Sequence, residues 1–134
     1  MTVLTASEKD RDARVRAFAG DARVVVVSMC AAWCDTCNEF RVAYERIARS
    51  RPECAFVWLD IEDDAAIAGD IDVENFPTLA VFRNGLPTYF GVSLPHESTV
   101  LRLIDALVQS GVAVTDAPAC VTALPEALTN PPAD

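Results

Sequence analysis

Basic side chains other than arginine are scarce in this 134-residue sequence. It contains one lysine, Lys9, and one histidine, His96, and its 20 acidic residues outnumber its 11 lysines and arginines. The formal net charge is therefore −9, which disfavours binding to the phosphate backbone of nucleic acids. We expect no nucleic-acid partner.

Long apolar runs are also lacking. A helix that spans a bilayer needs about 20 consecutive apolar residues, whereas the apolar runs here, such as residues 24–27, are only as long as a strand. Residues 1–16 contain no apolar segment of the kind that secretory signals carry. These absences predict that the chain has no membrane partner and is located in the cytoplasm.

The composition divides the chain into a domain and a tail. Hydrophobic residues make up 51% of the sequence, which is sufficient for a hydrophobic core, and we predict one domain over residues 1–110. Residues 111–134 are rich in proline and alanine and have little periodicity. We predict a mobile tail there, with one turn of helix near 122–128 and an exposed Cys120.

Apolar periodicity predicts alternating helices and strands. Helices are predicted over residues 7–19, 34–50 and 97–108, a short helix or turn over 62–71, and strands over 22–30, 54–61, 78–82 and 87–92. In the first helix, Val15 and Phe18 are expected to face inward. Asn84-Gly85 is typical of a hairpin turn, because both residues tolerate a positive φ.

The order of these elements predicts an α/β fold. Two strands joined through a helix run parallel, whereas two strands joined by a tight hairpin run antiparallel. The sequence therefore predicts a mixed central β-sheet with helices on both faces.

Three cysteines, Cys30, Cys34 and Cys37, lie within eight positions, and three kinds of site fit this spacing. An iron–sulfur cluster would need all three thiolates to converge, which a rigid strand end followed by a helix start disfavours. A structural zinc site needs four ligands, and His96 and the other cysteines lie far along the chain. We favour the third kind, a Cys34/Cys37 dithiol with Cys30 as a buried neighbour, and expect no metal.

The position of Cys34 favours nucleophilic chemistry. This residue begins a predicted helix after a buried strand, where unpaired backbone N–H groups and the helix dipole favour a thiolate. Cys37 follows one helical turn later, where its sulfur can resolve a mixed disulfide formed by Cys34.

The motifs around this pair resemble those of the thioredoxin family. They are W-C-D-T-C at residues 33–37, F-P-T at 76–78, and F-R-N-G at 82–85 with a later glycine, Gly91. The resemblance covers about residues 7–110. It implies a thioredoxin-like fold and the activity of a thiol–disulfide oxidoreductase.

The resemblance also implies roles for individual residues. Cys34 would be the nucleophile and Cys37 the resolving cysteine, so the oxidised protein would hold a Cys34–Cys37 disulfide. Pro77 would be cis and would face the active site, where the adjoining backbone pairs with an extended substrate. The implied substrate surface consists of Trp33, Asp35, Thr36, Phe76, Pro77 and Gly91.

Several positions depart from the family pattern. The family keeps a buried aspartate six residues before the nucleophile and a lysine on the next strand, and here these positions hold Ser28 and Trp58. Strand alternation places Asp60 on the same face as Trp58, so we hypothesise that Asp60 is the catalytic acid–base group. Asp35, beside the nucleophile, opposes thiolate formation by charge repulsion, which favours a reducing dithiol over an oxidising one.

Acidic side chains are concentrated in the segment that leads to Pro77. They are Asp60, Glu62, Asp63, Asp64, Asp70, Asp72 and Glu74. We hypothesise that this segment selects partners with basic surfaces around their disulfides.

Two functions fit these observations. The first is a monomeric oxidoreductase that reduces disulfide-bearing proteins; because the sequence has no dinucleotide-binding glycine motif, no cofactor is expected and a separate reductase would supply electrons. The second is a thioredoxin-fold binding or chaperone module with little redox turnover, which the missing aspartate–lysine pair would suit. The intact cysteine pair and the Pro77 loop favour the first function.

Overall fold

Four strands form one mixed sheet in the computed structural model, which describes residues 3–68, 71, 73, 75–110, 112–114 and 116–130. The strands are Val25–Cys30 (β1), Ala55–Asp60 (β2), Thr78–Arg83 (β3) and Leu86–Val92 (β4), in the order β2-β1-β3-β4. Strand β1 is parallel to β2 and antiparallel to β3, and β3 and β4 are antiparallel. The predicted mixed sheet is confirmed.

Six α-helices lie within the described residues: Arg11–Arg16 (α1), Asp35–Ser50 (α2), Ala65–Ala68 (α3), Glu97–Ser110 (α4), Ala119–Thr122 (α5) and Leu124–Thr129 (α6). No helix in this part of the chain is long and apolar enough to span a bilayer. The hairpin turn between β3 and β4 is as predicted, since Asn84 and Gly85 have φ values of 55° and 78°.

The predicted helix over residues 7–19 is divided into three short segments. A 3₁₀ turn at Glu8–Asp10 precedes α1, and a π-helical segment, Ala17–Asp21, follows it. The expectation that Val15 faces inward is wrong, because this side chain is exposed and Arg14 is fully buried instead. Phe18 is half-buried and packs edge-on against Phe82, with ring centres 5.9 Å apart.

Helices α2 and α4 cover one face of the sheet. Their buried apolar side chains include Phe40, Tyr44 and Ile47 from α2 and Val100 and Ile104 from α4. These residues recur at helical spacing and pack with Val26 of β1 and with Val24, which directly precedes the strand. The helices predicted over residues 34–50 and 97–108 are therefore confirmed.

Helices α1, α5 and α6 cover the opposite face, and this corrects the prediction of a mobile tail from residue 111. Within the described part of that segment, Val121, Leu124 and Leu128 are buried in a second core cluster, which consists of the apolar side chains on this face of the sheet. Cys120 is half-buried against the same cluster instead of exposed. The backbone N–H of Val114 donates to the Pro87 carbonyl at 2.7 Å, which ties the segment to β4.

Candidate functional site

Cys30 and Cys37 form a disulfide in the structure, and Cys34 is a free thiol between them in sequence. Cys30 is the last residue of β1 and Cys37 lies in the first turn of α2. Their Cα atoms are 5.8 Å apart, within the range of about 4.4–6.8 Å that disulfides require. The expected Cys34–Cys37 disulfide is therefore not the one that the structure contains.

The alternation of β1 explains why Cys30 is more than a packed neighbour. Side chains two residues apart in a strand share a face, so Cys30 lies on the same face as Val26, which packs under α2. Cys37 precedes Phe40 and Tyr44 at helical spacing and shares their inward face. These two periodicities were visible in the sequence and together bring the sulfurs of Cys30 and Cys37 into contact.

Cys34 is the N-cap residue of α2 and has an extended backbone (φ −91°, ψ 118°). It is half-buried, whereas Asp35 and Thr36 after it are exposed. The Cys34 side chain caps no backbone N–H group of the helix. Its sulfur thus lies at the positive end of a 16-residue helix, where an anion is stabilised.

The loop before Cys34 is held by several hydrogen bonds. The Cys34 N–H donates to the Ala31 carbonyl at 3.1 Å, and the Asn38 amide Nδ2 donates to the Ala32 carbonyl at 3.2 Å. The Ala32 N–H donates to Asp60 Oδ2 at 2.9 Å. These bonds position Cys34 from both α2 and β2.

Asp60 lies opposite Cys30 in the parallel register of β1 and β2. Besides the bond from Ala32, its Oδ1 accepts hydrogen bonds from the N–H groups of Glu62 at 2.8 Å and Asp63 at 2.9 Å. The Asp60 carboxylate therefore organises two loops at this end of the sheet. Its hypothesised acid–base role stays a prediction.

Trp33 joins the cysteine loop to two neighbouring segments. Its indole is 67% exposed, and the indole N–H donates a hydrogen bond to Glu62 Oε1. The ring also packs edge-on against Phe76, with ring centres 5.6 Å apart. Trp33 and Phe76 thus form a continuous aromatic surface next to Cys34.

The Phe76–Pro77 peptide bond is cis, as the resemblance implied. The Pro77 carbonyl accepts a hydrogen bond from the Ser93 N–H at 3.0 Å, which brings the end of β4 beside the proline. Gly91 lies opposite Leu79 in the β3/β4 register. A Cβ atom on Gly91 would lie 3.3 Å from the Tyr89 hydroxyl, so a side chain there would press on Tyr89.

Ser28 and Trp58 stand at the two positions where the thioredoxin family keeps an aspartate and a lysine. Ser28 is fully buried, and its hydroxyl lies 4.0 Å from Cys30 Sγ. Trp58 is half-buried and packs against Phe40 and Tyr44, while the Arg41 guanidinium lies over its ring at 5.0 Å. Ser28 thus contacts the cysteine cluster, and Trp58 belongs to the core.

Acidic groups flank the aromatic surface. Asp35, Glu62 and Asp63 are exposed, and Glu62 contacts Trp33 directly. Burial raises the pKa of Asp64, although a hydrogen bond from the Asp60 N–H opposes this shift. The remaining acidic residues of the predicted cluster, Asp70, Asp72 and Glu74, lie outside the described residues.

No group of three or more histidine, cysteine or carboxylate side chains within the described ranges could hold a metal ion. The site is instead a set of three cysteines at one end of the sheet, bordered by Trp33 and the cis-proline loop. Such an arrangement is suited to exchange between thiols and disulfides, because one sulfur is accessible and two lie beneath it.

The fold and this site define a thiol–disulfide protein of the thioredoxin type. A family model described as thioredoxin matches residues 2–101. The chain therefore belongs to the thioredoxin family.

Individual relatives agree with this assignment. Thioredoxin of Echinococcus granulosus is 33% identical over 97 residues, which cover 72% of this chain and 89% of that protein. Protein disulfide-isomerase A4 of Bos taurus is 27% identical over 96 residues; the match covers 69% of this chain but only 15% of the length of that relative. The structure of a poplar thioredoxin h superposes with a TM-score of 0.69 at 18% identity, covering 82% of this chain and 99% of that one.

Proposed function

We propose that this chain reduces disulfides in other proteins, with Cys34 as the nucleophile and Cys37 as the resolving cysteine. The observation that carries the proposal is the position of Cys34, which is half-buried at the N-terminus of α2 beside Trp33. The family assignment supports the same chemistry.

The reaction needs one accessible and one enclosed sulfur. The Cys34 thiolate attacks one sulfur of the partner's disulfide, which gives a mixed disulfide and releases the partner's other sulfur as a thiolate. Cys37 then attacks the Cys34 sulfur and releases the second partner thiolate. Each partner disulfide thus gains two electrons and two protons, and the chain acquires one disulfide.

The surface around Cys34 favours extended polypeptide substrates. Trp33 and Phe76 form an aromatic platform, and the adjoining Pro77 lies beside the end of β4 through its hydrogen bond from Ser93. The exposed carboxylates of Asp35, Glu62 and Asp63 favour partners with basic residues around the disulfide. We further propose that the protein is a cytoplasmic monomer and that a separate reductase supplies its electrons.

Insulin reduction tests this function. In the presence of dithiothreitol, the wild-type chain should accelerate the precipitation of insulin B chains, and Cys34→Ser should return the rate to that of dithiothreitol alone. Cys120→Ser is the matched control, because it removes a thiol on α5, outside the cysteine cluster, and should retain the acceleration.

An acceleration that persists in Cys34→Ser would contradict the proposed nucleophile. No acceleration by a folded wild-type chain would favour the alternative function, a binding or chaperone module with little redox turnover. The substrates can be identified with Cys37→Ser, which should retain partners as mixed disulfides on Cys34 because the resolving sulfur is missing.

A further inference from the structure

Cys37 has two cysteine neighbours, and this creates two alternative positions for a disulfide. Cys34 precedes Cys37 by one helical turn, and Cys30 is bonded to Cys37 from the end of β1. Cys30 and Cys37 are only 1% and 0% exposed, whereas Cys34 is half-buried. Cys37 therefore has a more accessible cysteine one helical turn before it and an enclosed cysteine bonded to it from the strand.

We propose that Cys30 is a third redox cysteine, which attacks Cys37 and moves the disulfide from Cys34–Cys37 to Cys30–Cys37. This proposal rests on the proposed function, because it concerns the fate of the disulfide that substrate reduction produces. It gives the oxidised protein a buried disulfide and a free Cys34 thiol at the surface.

The transfer is balanced within the chain. The Cys30 thiolate attacks Cys37 Sγ, the Cys34–Cys37 bond breaks as the Cys30–Cys37 bond forms, and Cys34 leaves as a thiolate. Cys30 loses its proton before it attacks, and Cys34 takes up a proton after it has left as a thiolate. One disulfide is present before and after, so the step needs no external oxidant or reductant.

Two features of the structure support Cys30 in this role. The strand end and the helix start hold the Cys30 and Cys37 Cα atoms at 5.8 Å, so the product needs no movement of the backbone. Ser28 is fully buried and places its hydroxyl 4.0 Å from Cys30 Sγ. When Cys30 is ionised, this hydroxyl can donate a hydrogen bond to the thiolate, whereas an acidic side chain at position 28 would repel the thiolate.

Transfer of the disulfide to Cys30 changes what the oxidised protein can do, compared with a site that has only two cysteines. In a Cys34–Cys37 disulfide, the nucleophile is blocked until a reductase acts. In the Cys30–Cys37 form, Cys34 can attack a second disulfide although the chain is already oxidised. A partner captured in that state can be released by one of its own thiols, which would rearrange its disulfides without net reduction.

Disulfide mapping of the oxidised wild-type chain tests the proposal. The reduced protein is oxidised with hydroxyethyl disulfide, which is independent of any protein substrate, and free thiols are blocked with N-ethylmaleimide under mildly acidic, denaturing conditions. Cleavage after Arg23 and Arg41 and before Asp35 leaves Cys30 and Cys34 on one peptide and Cys37 on the other. Fragmentation of the linked pair then shows which cysteine carries the maleimide.

We expect the maleimide on Cys34, exceeding that on Cys30 about tenfold or more, because the fold holds Cys30 and Cys37 at bonding distance. Labelling mainly on Cys30 would overturn the proposal. In oxidised Cys30→Ser, the disulfide can only return to Cys34–Cys37, and labelling of Cys34 should fall about tenfold or more by the same reasoning. Cys120→Ser should be labelled like the wild type.

The two proposals fail in different ways. Insulin reduction that depends on Cys34, together with maleimide mainly on Cys30, would overturn the third redox cysteine and leave the reductase function intact. Absence of insulin reduction, together with maleimide on Cys34, would overturn the proposed substrate class and support the internal transfer.

Discussion

The guanidinium Nε of Arg14 donates a hydrogen bond to the Leu128 carbonyl at 2.7 Å, across 114 positions of the sequence. The same side chain donates through Nη1 to the carbonyls of Thr5 and Ser7. Burial lowers the pKa of Arg14, and the negative charge of Asp10 opposes this shift. One buried cation therefore joins the N-terminal segment, α1 and α6.

Leu128→Ala tests whether α6 is part of the folded domain. Leu128 is fully buried, so the truncation should lower the free energy of unfolding by about 2–5 kcal/mol. Urea denaturation followed by circular dichroism measures this change. Leu94→Ala, at a side chain that is 62% exposed, is the control and should change stability by less than about 1 kcal/mol. Equal effects of the two substitutions would mean that α6 is not packed.

Asp60→Asn should weaken the loops at the active end of the sheet. The carboxylate accepts N–H groups at both oxygens, whereas an amide must turn its NH₂ group toward one of these donors. We expect a loss of about 1–3 kcal/mol in the free energy of unfolding. Asp63→Asn removes the same charge from an exposed side chain and should be close to neutral.

The same substitution tests the hypothesised acid–base role of Asp60. If this carboxyl group exchanges a proton with the resolving cysteine, the pH–rate profile of insulin reduction will change in Asp60→Asn but not in Asp63→Asn. A profile of unchanged shape would restrict Asp60 to its positioning contacts with the loops.

Charge at the rim of the site should control the choice of partner. Reduction of a basic disulfide substrate should slow about threefold or more when salt is raised from about 0.05 to 0.5 M, because salt screens the attraction to Glu62 and Asp63. An acidic substrate should respond in the opposite direction. In Glu62→Gln/Asp63→Asn, the salt dependence of the two reduction rates should become similar. If the rates for the basic and the acidic substrate already respond equally to salt in the wild type, the acidic rim does not select partners.

Stability should decrease in alkaline solution partly through Cys54. Burial raises the pKa of this thiol to about 11, and the charge of Glu53 adds to the shift, whereas an unfolded cysteine ionises near about 8.5. Between these values the unfolded chain has lost the proton and the folded chain retains it, so the free energy of unfolding falls as pH rises.

Cys54→Ala removes this contribution. Denaturation of both chains in reductant between about pH 8 and pH 11 should show a shallower decline for the variant. Burial also raises the pKa of Tyr44, but Tyr44 is present in both chains and its effect cancels in the difference. Parallel curves would show that Cys54 does not contribute.

The sheet and its two main helices were predictable because their signals are local. The β-branched run of β1 dictates a strand that is buried on both faces, and the spacing of Phe40, Tyr44 and Ile47 dictates a helix with one buried face. In the C-terminal segment, the turn of helix predicted near 122–128 corresponds to α6. The packing of this segment on the domain was missed, although Val121, Leu124 and Leu128 recur at helical spacing. Pro118 and Pro125 masked that pattern, and in the structure they occupy the start of each helix, where proline is tolerated.

The residues of the site were predictable only where a single sequence motif contained them. The W-C-D-T-C motif pointed to Cys34 and Cys37, but the bond to Cys30 depends on how two different periodicities meet across the sheet and α2. The contacts of Asp60 with Ala32 likewise depend on the parallel register of β1 and β2. No spacing along the chain encodes such a contact, because it arises only when separate elements pack.

The enclosure of the Cys30 and Cys37 sulfurs restricts the route by which the oxidised protein can be reduced again. A thiolate must approach a disulfide in line with the S–S bond to cleave it, and two residues that are at most 1% exposed give dissolved thiols such as glutathione no such approach. Electrons must therefore enter through Cys34. Under the proposed transfer, the oxidised chain therefore reacts with dissolved thiols only when its disulfide returns to Cys34, and the lifetime of the oxidised state depends on that internal exchange.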